Sequence, residues 1–292
     1  MLFGFYFFET SGNFLIARPR VHWKLLKAKE IFDGAGVKIY RSIGQTKELT
    51  IDPILMLDEF CSDNPDDYLQ GFPPHPHRGF ETFTYMLDGR LKHEDSLGNK
   101  GTLEKGQIQW MTAGRGIVHS EMPIQKDGLM RGFQLWLNLP ASKKMCSPKY
   151  KDVDTQNSPV VTKGCLVIKV IAGSFGSTYG QINTLETALD YFDITTKTGE
   201  ELLLLKEQKV YFLYLYDGEI SVNGIRLTKS SGIYLEKHSK VRLICSKSSR
   251  LLFLGAAPLN EPIIQHGPFV MNTKDEIKKT IEDFNDGKFG RL

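Results

Sequence analysis

Residues 74–82 read PHPHRGFET, and residues 113–123 read AGRGIVHSEMP. His75 and His77 are two apart in the first stretch, as are His119 and Glu121 in the second. On a β-strand, residues i and i+2 point to the same face. Each pair therefore presents two ligand-type side chains together, and two such strands side by side bring four of them to one point inside a barrel. Pro74 and Pro76 favour extended backbone around the first pair. Of the 7 histidines in the chain, three fall in these motifs. A lone H-x-H has an ordinary reading as surface or core histidines. Two pairs together, flanked by glycines in a β-rich region, make a metal site the stronger reading. Three imidazoles and a carboxylate suit iron(II), manganese, nickel or zinc, and are poor ligands for copper(I) or calcium. The absence of a nearby thiolate weighs against structural zinc.

Working outward, short runs rich in β-formers continue on both sides. They include Val37–Ile43, Phe80–Leu87, Ile108–Met111, Ile117–Met122, Gly132–Leu139, Leu166–Ala172, Val210–Tyr216 and Arg250–Leu254. Asp88-Gly89, Gly98-Asn99, Lys105-Gly106, Asp217-Gly218 and Asn223-Gly224 punctuate them as turns. This spacing predicts an all-β sandwich or barrel. The halves echo each other: YMLDGRL and EKGQIQWM in the first, YLYDGEISVNG and SSGIYLEK in the second. A duplicated barrel leaves such a trace. The polar stretch 141–164 reads as the connection between halves. One helix is signalled at the C-terminus, where Thr273 and Glu276 have capping-box spacing, Ile277, Ile281 and Phe284 share a face, and Gly287 stops it.

The chain has 292 residues, long enough for one large or two ordinary domains. Its formal charge of +3 on 37 basic and 34 acidic residues leaves no footprint of direct nucleic-acid binding. The four cysteines, Cys61, Cys146, Cys165 and Cys245, are unpatterned and read as free thiols. The apolar start MLFGFYFF is too short to span a membrane, and its basic residues follow it, unlike those of a signal peptide. It reads as a poorly ordered extension over residues 1–30, and N-terminal targeting is not excluded. His22, His93 and His238 lack comparable pairing and read as ordinary polar residues, with His93 the one lying between the motifs. His266 reads as a loop-ordering residue.

The segments HPHRGFET, HEDSLGN, GQIQWMTAGRGIVHSEMP and EPIIQHGPFVMNT resemble those of the pirin family, within the cupin superfamily. The resemblance runs from about Ile43 to Gly290. It implies two cupin (jelly-roll) barrels packed together: residues 31–145 binding one iron through His75, His77, His119 and Glu121, and residues 146–292 without metal, ending in the helix. It further implies quercetin 2,3-dioxygenase-type activity on a flavonol with O2. Glu121 is then also the candidate base, and Phe72, Phe80, Phe83, Trp110 and Met111 are candidates for the apolar pocket wall. The alternative that the resemblance carries is a redox-responsive iron protein that binds transcription factors without turnover. Arg78 and Arg115 would then shape a pocket mouth or a partner surface, or serve as salt-bridged structural residues. The family also suggests a monomer in the cytoplasm or nucleus.

Overall fold

The computed structural model describes residues 23–46, 50–182, 186–236 and 240–292. The apolar start, His22 and His238 lie outside these residues. The first half forms a seven-stranded antiparallel sheet. Its order is Lys149–Asp154, Gln107–Thr112, Phe80–Asp88, Met130–Asn138, Ile54–Ser62, Val37–Ile43 and Lys29–Asp33. A four-stranded sheet completes the barrel, in the order Phe72–His77, Ile117–Pro123, Leu91–Asp95 and Lys100–Leu103.

The second half repeats this plan strand for strand. Its seven-stranded sheet runs Trp23–Lys27, Ser231–Leu235, Val210–Asp217, Ser249–Ala256, Asp190–Thr196, Leu166–Ala172 and Val160–Lys163. Its four-stranded sheet runs Gly199–Leu204, Lys240–Cys245, Glu219–Val222 and Ile225–Thr228. The echoed segments occupy equivalent strands, Phe80–Asp88 with Val210–Asp217 and Gln107–Thr112 with Ser231–Leu235. The protein is thus all-β, as the turn spacing predicts, and a pair of barrels, as the resemblance implies.

Two stretches differ from the sequence reading. The extension expected over 1–30 is strand from Trp23 onward, because Trp23–Lys27 pairs with Ser231–Leu235 and Lys29–Asp33 pairs with Val37–Ile43. An edge strand contributes mainly backbone hydrogen bonds, so its side chains need carry no strong apolar pattern. For the same reason the polar stretch 141–164 contains two further edge strands, Lys149–Asp154 and Val160–Lys163.

The two large sheets pack outer face to outer face. Phe83, Tyr85, Phe133 and Leu135 of one meet Tyr191, Phe212, Tyr214 and Leu252 of the other in one buried core. Each fully buried side chain of this size contributes roughly 1.5–3 kcal/mol. The polar tips are paired across the seam. Tyr85 donates to Asp193 at 3.0 Å, and Tyr214 donates to Glu59 at 2.9 Å.

The C-terminal segment then returns to the first barrel. A hairpin, Ile264–His266 with Phe269–Met271, leads into the helix Lys274–Asn285. Thr273 and Glu276 form the expected capping box. His266 lies exposed in that hairpin. Lys144, 1 % exposed, nails the hairpin down by donating to the carbonyls of Gly79 and Val270 and to Asn138 Oδ1. Among the described residues no helix is long and apolar enough to cross a membrane.

Candidate metal centre

The strands Phe72–His77 and Ile117–Pro123 pair antiparallel, with His119 directly opposite His75. This register and the strand period of two bring three imidazoles together. The ring centroids of His75, His77 and His119 lie 4.4 to 4.8 Å apart. One donor atom from each falls within 4.8 Å of the others.

His75 Nδ1 lies 2.8 Å from the Pro73 carbonyl. A carbonyl only accepts, so Nδ1 carries the proton and Nε2 keeps its lone pair. That Nε2 faces His77 Nε2 at 3.0 Å. His119 is fully buried, and neither of its ring nitrogens has a hydrogen-bond partner. An unpartnered polar ring in a core is costly, and ligation of a metal would remove that cost. Burial, reinforced by the neighbouring imidazoles, holds the pKa values of His77 and His119 well below the usual histidine range. Both rings are therefore neutral near pH 7, the form that ligates. The three histidines fit a transition metal.

Glu121 shares the cavity with His75 and His77 but stands outside the cluster. The pairing shifts between His119 and Glu121, so that Glu121 sits opposite Phe72. Its Oε1 lies 2.7 Å from the Thr84 hydroxyl, and its Oε2 accepts from Gln134 Nε2 at 3.1 Å. His93, buried one strand over, lies behind His119 with ring centroids 5.3 Å apart. It contacts Asp95 at 3.3 Å and stacks on Tyr150, so it supports the cluster without joining it.

His75 and His77 face a cavity of about 790 Å³, with His119 buried beside them. Met56, Phe60, Phe72 and Trp136 form much of its apolar wall, and the C-terminal hairpin adds Gln265, Gly267 and Pro268. Of the five apolar side chains expected there, Phe72 alone lines it. Phe80 packs behind His77, with ring centroids 5.0 Å apart. Phe83 belongs to the core between the barrels, with Trp110 stacked beside it. Trp110 also donates to Glu81 at 3.0 Å. Met111 is buried with Ala113 and Ile117.

The missed wall residues come from Ile54–Ser62 and Met130–Asn138. Alternation in MDF (56, 58, 60) and QW (134, 136) would have found them had the face been known. At the polar side of the cavity Arg41 makes a two-pronged bond to Asp58, at 2.8 and 2.7 Å, and reaches Asp33 at 2.6 Å. Burial pushes the Asp58 carboxyl up to about 6, against the pull of Arg41. Arg78 is a buried structural residue paired with Asp283. Arg115 is exposed and donates to Ser147.

The Pirin family model matches residues 36–137, and the model of the Pirin C-terminal cupin domain matches residues 191–290. A Pseudomonas aeruginosa protein named "Putative quercetin 2,3-dioxygenase" is 44% identical over 87% of this chain and 93% of its own length. A "Pirin-like protein" of Caulobacter vibrioides is 43% identical over 91% of this chain and 98% of its own. The crystal structure of an Acinetobacter baumannii quercetin 2,3-dioxygenase superposes with a TM-score of 0.85 at 33% identity, covering 91% of this chain and 97% of that one. With both halves matched and the fold shared, the chain belongs to the pirin family of two-barrel cupins.

Proposed function

We propose that this protein is a metal-dependent dioxygenase that opens flavonols with O2, holding one iron through His75, His77 and His119, with Glu121 as fourth ligand or base. One observation carries the reading: three imidazole donors cluster, the buried His119 unpartnered, and two of them, His75 and His77, line a cavity large enough for a flat aromatic substrate. The names of the Pseudomonas and Acinetobacter relatives point to the same chemistry. Manganese, nickel or zinc satisfies the same donor set.

When bound, the metal supplies Lewis acidity toward a substrate hydroxyl and redox chemistry toward O2. The chain does the rest. The Pro73 carbonyl fixes the tautomer of His75, so that Nε2 is the ligating atom. The Glu121 carboxylate takes the proton of the substrate hydroxyl, and Thr84 and Gln134 hold it in place. Phe60, Phe72 and Trp136 grip the flat ring and exclude water.

The test is quercetin turnover by protein loaded with iron(II) without oxygen, then exposed to air. Loss of flavonol absorbance with carbon monoxide release, abolished in His119→Ala and reduced at least about 100-fold in Glu121→Gln, is the expected result. Stoichiometric iron with no turnover would refute the reading.

A further inference from the structure

The duplication gives the second barrel a counterpart of the first cavity, filled with different chemistry. In the first barrel Trp136 pairs with Met56 and Gln134 with Asp58 across two adjacent strands. At the equivalent place in the second, Phe253 pairs with Phe192 and Leu251 with Ile194. The ligand-bearing strands Phe72–His77 and Ile117–Pro123 correspond to Gly199–Leu204 and Lys240–Cys245. These carry no histidine, and Leu203, Val241 and Leu243 are buried there instead.

A cavity of about 310 Å³ nevertheless opens at this position. Phe175, Phe192, Ile194, Leu203, Tyr211 and Phe253 line it. Phe192 and Phe253 lie nearly parallel, with centroids 5.5 Å apart. Phe175 meets the Phe192 ring edge-on at 5.9 Å, and Tyr211 packs on Phe253 at 5.4 Å. The Tyr211 hydroxyl is occupied by the backbone of Lys206.

Lys163, Asp190 and Lys206 are the charged residues lining this cavity, with surplus positive charge. Asp190 is neutralised by Lys209 at 2.6 Å, and Lys163 by Glu201 at 3.0 Å. Lys206 lines the same opening, is exposed, and has no ion pair among the described residues.

We infer that the second barrel binds a small apolar molecule bearing one anionic group, an aryl or medium-chain carboxylate, with its body on the aromatic floor and its anion at Lys206. Ligand pockets run from about 300 Å³ upward, so the volume suffices. Water filling an apolar cavity finds too few polar partners and is readily displaced. An unpaired ammonium at the mouth selects the sign of the charged end. The inference does not depend on the metal centre.

The test is calorimetric titration of the full chain with octanoate, octan-1-ol and octylammonium. Octanoate should bind with one site per chain, octan-1-ol more weakly and octylammonium not detectably. Lys206→Glu, on the surface, should weaken octanoate about tenfold and leave octan-1-ol unchanged. Leu205 also lines this cavity, so Leu205→Trp, which places an indole there, should abolish both. Absence of octanoate binding overturns the inference, as does equal binding of octanoate and octylammonium. Binding unchanged in both variants overturns it too, because the ligand would then sit elsewhere.

Discussion

Arg78 donates from Nη1 to Asp283 Oδ2 at 3.0 Å, joining the residue after His77 to the last helix of the chain. The same guanidinium donates to the Arg115 carbonyl and lies 4.5 Å over the Phe289 ring. The tail of the second half thus fastens the end of the histidine-bearing strand Phe72–His77 of the first. Asp283→Ala leaves a buried cation unpaired, which should cost on the order of 3 kcal/mol. Urea unfolding measures it, and an unchanged midpoint would mean that the pair is incidental.

Glu81 should make stability fall as pH rises. Its Oε1 accepts from Trp110 and Thr112, while its buried Oε2 has no partner. Burial pushes its pKa from 4.5 up to about 7. Between those values the folded state holds the proton that the unfolded state has lost, so raising the pH destabilises the fold, and the full cost is present above about 7. Glu81→Gln should be more stable than the natural protein at pH 8 and lose that advantage at pH 4. Parallel unfolding curves with pH would contradict the assignment.

Phe72 and Phe83 should part company on substitution. Phe72 lines the cavity, so Phe72→Ala should raise KM for quercetin several-fold with little loss of stability. Phe83 is fully buried between the barrels, so Phe83→Ala should cost about 3–5 kcal/mol and leave KM unaltered in the folded fraction. Steady-state kinetics beside denaturant curves separates the two effects, and a KM change confined to Phe83→Ala would reverse the placement.

That contrast marks how far the sequence could be read. The histidines were legible because a strand's period of two makes H-x-H a statement about one face. The echo of Asp-Gly turns exposed the duplication for the same local reason. Which face of Phe80–Asp88 looks into the barrel was not legible. Usually the apolar side faces the core, yet here Thr84 turns toward the polar site and Phe83 and Tyr85 turn toward the second barrel. Both faces of the sheet are buried, so alternation loses its sign. Trp23–Lys27 was missed because its partner lies about two hundred residues away, and that pairing leaves no local mark. The position of Glu121 depends on a pairing shift that spacing alone does not reveal.

Metal content tests the centre most directly. The natural protein and His119→Ala would be equilibrated with iron(II) under nitrogen, freed of excess, and measured by plasma mass spectrometry. One iron per chain in the natural protein and little in the variant is the predicted result. Equal iron in both would place the metal elsewhere and contradict the three-histidine site.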